Sequence, residues 1–167
     1  MKFEYVSYIE ATPEQVWRAL TDADLSAEYW GHRNVSDWQA GSRWEHQRTD
    51  DAQTADVVGT VLESVPPFRL LATWSAPDET RADGPTRFAA DIQSYGEIVR
   101  LTVTQENIAD ENERDGFAAG WSAVVSNLKS FVETGNPLSR APWEMPWLRQ
   151  PPATTRRGPP GPPRTRR

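Results

Sequence analysis

The chain has 167 residues, 37% of them apolar and 25% charged, and a formal net charge of −6. That length supports one ordinary domain with its own core and leaves no room for two comfortable ones. It has no cysteine and only two histidines, His32 and His46, which excludes a disulfide scaffold, thiolate chemistry and a three-histidine metal site.

In chain order, Phe3–Glu10 alternates and is rich in β-formers, so it reads as a strand. Thr12-Pro13-Glu14-Gln15 then spells a helix start. Thr is the N-cap, Pro takes the first helical position, and Gln15 is the capping-box partner. That helix runs to about Thr21 and buries Val16, Trp17 and Leu20. Asp22–Trp30 reads as a second short helix closed by Gly31, with His32 following in an exposed loop.

The period then changes to two. Arg43–Arg48, Asp56–Val65, Arg69–Ser75, Thr86–Ser94 and Ile98–Asn107 all read as strands. Pro66-Pro67 and Asp83-Gly84-Pro85 break them apart, and Tyr95-Gly96-Glu97 makes a tight hairpin turn. Glu113–Thr134 is a long helix stopped by Gly135, with Phe117, Trp121, Val124, Leu128 and Phe131 along one stripe. An antiparallel sheet must cover one apolar face, and one long helix suffices for that. The expectation is an α+β fold. A curved antiparallel sheet of six or seven strands wraps around one long C-terminal helix, with two short helices after the first strand.

Charge and proline divide the chain. Residues 1–134 carry 11 basic and 23 acidic side chains, whereas residues 135–167 carry seven arginines against Glu144 and nine of the 14 prolines. The reading is a domain over 1–136 and a Pro/Arg-rich, largely disordered tail over 137–167. Within the tail, 142–148 holds Trp143, Met145, Trp147 and Leu148, which either pack on the domain or form a docking motif. The arginines suit solvent, an acidic protein or nucleic acid as partner, or the acidic domain itself. The N-terminal stretch lacks the apolar run of a signal peptide, and no 18-residue apolar stretch spans a membrane. A cytoplasmic location is therefore the default expectation.

Four stretches carry a family resemblance. They are YIEATPEQVWRALTD at 8–22, VSDWQAGSRWEH at 35–46, GTVLESVPPFRLLATW at 59–74 and GFAAGWSAVVSNLKSFVETGNPL at 116–138. Together they resemble the START-like (SRPBCC) helix-grip superfamily, and within it bacterial stand-alone domains related to the activator of heat shock protein 90 ATPase. The Arg/Pro tail lies outside that resemblance. The resemblance implies a deep cavity between sheet and helix that takes apolar or aromatic molecules. Family members include lipid carriers, hormone receptors, polyketide cyclases and chaperone-binding domains, so the fold alone does not choose a function.

The pleat places Trp44 with His46, Leu70 and Ala72 with Trp74, Phe88 with Ala90 and Ile92, and Leu101 with Val99 and Val103, each set on one face. Opposite them stand Phe117, Trp121, Val124 and Leu128, while Tyr29, Trp30 and Trp38 roof the mouth. These residues are either plain core or core plus cavity wall; eight tryptophans in so short a chain favour a wall. His46 is a candidate general acid/base or hydrogen-bond donor to a ligand, or a satisfied structural histidine. An enzyme of cyclase or hydratase type would use His46 with Glu63 or Tyr29. Glu63 faces inward or outward according to a register left open, and Asp91 with Arg100 is a candidate cross-strand pair. No nucleophile–base, metal-ligand or phosphate-loop spacing occurs, and no cofactor is implied. Three readings stand: a binder of an apolar or aromatic small molecule, an enzyme acting on such a molecule, and a protein-interaction or chaperone-cofactor module.

Overall fold

The computed structural model describes residues 1–145. Its elements are β1 (Lys2–Ile9), α1 (Pro13–Thr21), α2 (Ala23–Trp30), β2 (His32–Val35), β3 (Arg43–Arg48), β4 (Ala55–Val65), β5 (Arg69–Trp74), β6 (Thr86–Tyr95), β7 (Ile98–Glu106) and α3 (Glu111–Thr134), followed by a 3₁₀ turn at Pro142–Glu144. The strands form one antiparallel sheet in the order β1-β7-β6-β5-β4-β3-β2. From β2 to β7 the chain meanders through sequential neighbours, and β1 then pairs with β7 at the far edge.

Local chemistry sets the element ends. Thr12 Oγ1 accepts from the Gln15 amide while Gln15 Oε1 accepts from the Thr12 amide, completing a capping box in front of Pro13. Asp22 closes α1 and caps α2 by accepting from the Asp24 and Leu25 amides. Gly31 ends α2 in the left-handed region at φ 73°, which a glycine adopts without steric cost. Asp110 caps α3 by accepting from the Glu113 amide. At the other end of α3, Gly135 donates to the Phe131 carbonyl.

Two irregularities bend the sheet. In β3–β4, His46 pairs with Val57 and Gln47 with Ala55, so Asp56 is the extra residue. In β4–β5, Val61 pairs with Ala72 and Glu63 with Leu71, so Leu62 is extra. Extra residues of this kind increase local twist and let a sheet curl around a helix. The concave face buries Trp44, Leu70, Ala72, Phe88, Ala90, Ile92, Val99, Leu101 and Val103 against Trp121, Val124, Val125 and Leu128 of α3. No helix among the described residues is long and apolar enough to cross a membrane.

Three expectations change. His32 does not sit in a loop: it opens β2, which pairs with β3 and adds the seventh strand. On α1, Val16, Ala19 and Leu20 are buried, while Trp17 is only half-buried. Asp91 does not pair with Arg100; its Oδ1 accepts from the Arg69 guanidinium at 2.7 Å, and the register sets Arg100 opposite Gln93 instead. Most of the predicted tail, including Trp147, Leu148 and six of its arginines, lies outside the described residues.

Candidate functional site

The site grows from the β2–β3 ladder. In its register His32 lies opposite Arg48, and Asn34 lies opposite His46, so all four side chains share one face. Asn34 is buried, and its Nδ2 donates to the Leu20 carbonyl at 2.8 Å, which fixes the amide orientation. Asn34 Oδ1 must then accept from His46 Nδ1 at 2.6 Å. The extra residue of the β3–β4 irregularity, Asp56, reaches the same corner. It accepts a two-pronged guanidinium contact from Arg48 and, at 2.8 Å, the Nε2 proton of His32. The Arg48 contact first, and His32 second, hold the Asp56 carboxyl down at about 2.

His32 and His46 stack, with ring centroids 4.2 Å apart and planes 6° from parallel. His46 is 5% exposed. Burial, reinforced by the neighbouring His32 and only partly offset by Asp56, pushes its pKa down to about 3. His46 is therefore a neutral imidazole with its proton on Nδ1 and a lone pair on Nε2. Among the described residues the hydrogen bond of this ring is the one at Nδ1, and none is made to Nε2. With its one proton committed to Asn34, the ring keeps an acceptor, and no donor, on Nε2. His32 Nδ1 is buried and also lacks a partner among the described residues.

Beside the pair, two clefts open between α3 and the sheet. One, of about 160 Å³, has His32, His46, Trp30, Gly120, Val124 and Trp143 in its walls. The other, of about 110 Å³, lies among Trp30, Trp74, Phe117, Trp121 and Gly116, and it shares Gly120 and Val124 with the first. Gly116 and Gly120 recur at helical spacing in α3, and a Cβ built on either meets nothing within 4 Å. A glycine inside a helix costs about 1 kcal/mol relative to alanine, so this bare strip keeps space open at the expense of stability. A larger hollow, of about 320 Å³, lies on the outer sheet face. Its rim is occupied by the ion pairs of Arg69 with Asp91 and Lys2 with Glu4. It sits on the opposite side of the sheet from the histidines.

The residues singled out from sequence divide into those at the clefts and those in packed core. Trp30, His46, Trp74, Phe117, Trp121 and Val124 border the clefts. Trp44, Phe88, Leu101 and Leu128 are buried in solid core. Trp44 donates its indole proton to the Thr73 carbonyl at 2.8 Å, over Gly59, where a side chain would collide. The Tyr29 hydroxyl donates to the Ala19 carbonyl at 2.8 Å, and burial pushes its phenol pKa far up. Trp38 donates to the Thr21 carbonyl and is half-buried. Glu63 is exposed and takes the Arg69 Nε proton at 2.8 Å, because Leu62 as the extra residue turns it away from the inner face. The Tyr29 hydroxyl and the Glu63 carboxylate are thus both engaged with partners other than His46.

Asn34, Asp56 and the glycine strip escaped the sequence reading. The alternation of His32-Arg33-Asn34-Val35 was the one available sign of β2. Trp143 is the other addition: Pro142 is buried, and the Trp143 ring lies against Gly31 while remaining 59% exposed.

The profile of the Activator of Hsp90 ATPase homolog 1-like protein family matches residues 10–133. The chain belongs to this family. Solved structures carry the same fold. An HSP90 activator from Plasmodium falciparum, PFC0360w, is 18% identical with a TM-score of 0.65, covering 82% of this chain and 98% of that one. ChR145 from Cytophaga hutchinsonii is 24% identical with a TM-score of 0.67, covering 81% and 95%. DynU16, a protein of the dynemicin biosynthetic locus, is 22% identical with a TM-score of 0.68, covering 81% and 48%. No curated protein matches the sequence. At these identities the likeness establishes the helix-grip fold, and function must be argued from the site.

Proposed function

We propose that this domain binds a small apolar or aromatic molecule in the clefts between α3 and the curled sheet. The observation that carries this reading is the open space over Gly116 and Gly120, walled by Trp30 and Trp74 and reaching the buried His46. A pocket of this kind, apolar with one convergent polar group, is how small-molecule sites are built. The larger cavity that the family resemblance implies is here filled by Trp44, Trp74, Phe88 and Trp121, whose rings pack 5.6 to 5.9 Å apart. What remains suits one ring: an apolar cavity of about 150 Å³ holds benzene.

The test is a titration of the full chain with single-ring aromatics, followed by tryptophan emission, beside Gly120→Leu as a filled control. Saturable change in the wild type and none in Gly120→Leu supports the reading. Equal behaviour of the two proteins overturns it.

A second reading is a chaperone-cofactor module, and the family match and the Plasmodium falciparum HSP90 activator favour it. Adding the chain to purified HSP90 and measuring the ATPase rate tests it; an unchanged rate removes it. The cyclase or hydratase reading would require the Tyr29 hydroxyl or the Glu63 carboxylate at His46, and these are engaged with the Ala19 carbonyl and Arg69.

A further inference from the structure

The proposed binding reading, on which this inference rests, leaves the chemical class of the ligand open, and the His46 corner narrows it. We propose that the cleft selects a single-ring aromatic molecule bearing a hydroxyl, which donates its proton to His46 Nε2.

The argument begins at Leu20. Its carbonyl accepts from Asn34 Nδ2, so Asn34 presents Oδ1, an acceptor, to His46. His46 must place its single proton on Nδ1 to satisfy that 2.6 Å contact. The Asn34 amide is in turn tied down by its backbone N–H, which donates to Ser26 Oγ at 2.9 Å. The tautomer is therefore set by a chain of three buried contacts reaching back to α1 and α2. Nε2 carries the lone pair, in a ring 5% exposed that borders the 160 Å³ cleft.

Burial keeps the ring neutral, with His32 adding to it and Asp56 opposing it. On β2, His32 stacks against it. On β4, Asp56 is committed to Arg48 of β3 and to His32. Trp30 of α2 lies with its ring centroid 4.6 Å away, and from α3 the facing residues are Gly120 and Val124. No hydrogen bond from any of these reaches Nε2, whereas the fully buried histidine atom without a partner among the described residues is His32 Nδ1. A ligand hydroxyl can donate to Nε2. A ligand carboxylate would bring acceptor against acceptor, and protonating the ring to suit it opposes its burial.

Size and shape agree with one substituted ring. Trp30 and the stacked histidines give flat aromatic walls, and the bare Gly120 backbone gives the clearance.

The experiment uses three probes of similar size, 4-methylphenol, toluene and benzoate. Affinities for the full chain are read by tryptophan emission, and the His46 ring by its ¹⁵N signals. The expected result is that 4-methylphenol binds roughly tenfold more tightly than toluene, with benzoate weakest, because the hydroxyl adds one hydrogen bond to the cleft-lining acceptor that toluene lacks. The unprotonated Nε2 resonance should shift toward hydrogen-bonded values with 4-methylphenol and stay put with toluene. Equal binding of 4-methylphenol and toluene with no Nε2 shift overturns this inference and leaves the binding reading standing. Binding led by benzoate overturns it as well. If none of the probes binds and Gly120→Leu behaves as wild type, the binding reading falls too. The wild-type resonances make the result independent of whether a His46 variant folds.

Discussion

His32 and His46 lie ring on ring, 4.2 Å apart, yet they have different partners: Asp56 takes the proton of one, and Asn34 takes the proton of the other. Two imidazoles in one wall are thus anchored from opposite sides. The consequence for stability is directional. His46 has its pKa depressed in the fold, to about 3 from an ordinary 6.5. An unfolded chain takes up that proton first, so stability is full above pH 6.5 and is lost as pH falls toward 3. Asp56, held at about 2, stays charged throughout the upper part of that window. Between pH 7 and pH 5 the wild type should lose about 2 kcal/mol relative to His46→Gln, read from urea midpoints at each pH. Parallel pH profiles for the two proteins would show that His46 titrates normally in the fold.

The glycine strip of α3 makes a prediction of opposite sign. Gly120→Ala should raise stability by about 1 kcal/mol, because its Cβ meets nothing within 4 Å and alanine is the better helix former. The same change should weaken binding of 4-methylphenol, since it narrows the cleft. Calorimetry measures the first effect and titration the second. Destabilisation would mean that the strip is packed against something rather than open.

Gly59 behaves in the reverse way. A Cβ there would lie 1.9 Å from the Thr73 carbonyl oxygen and 2.3 Å from Trp44 Nε1. Gly59→Ala must therefore separate β4 from β5 or break the Trp44–Thr73 hydrogen bond, at a cost of roughly 3 kcal/mol. Denaturant unfolding gives the value, and a near-neutral change would contradict this packing.

Tyr29 was a catalytic candidate from sequence, and its hydroxyl is spent on the Ala19 carbonyl. Tyr29→Phe should cost about 1–2 kcal/mol of stability and leave probe affinity unchanged. Lost affinity at unchanged stability would return Tyr29 to the site.

Much of the fold was legible because its signals are local. The Thr12–Gln15 box, the left-handed Gly31 and Gly135, and the Gly96-Glu97 turn between Tyr95 and Ile98 each fix an element end through neighbours in sequence. Period-two alternation then gave the inner rows of β3 and of β5 to β7. What failed was non-local. β2 has only four residues, too few for a period to register. The face of Glu63 turned on the extra residue Leu62, and the reach of Asp56 turned on its own extra position. Neither leaves a mark in composition. Whether aromatic residues fill a cavity or line one depends on volume, which a sequence pattern does not carry; Trp44 and Phe88 filled it, while Trp30 and Phe117 border what was left.

The aromatic core has an optical consequence. Trp30, Trp74, Trp121 and Trp44 form a connected chain with centroid separations from 5.4 to 6.5 Å. Transition dipoles at such spacing interact with one another. Far-ultraviolet circular dichroism of the folded chain, where the intense indole transition absorbs, should then carry a paired positive and negative exciton band. Any displacement of Trp30, the member beside His46, would be broadcast through the whole set.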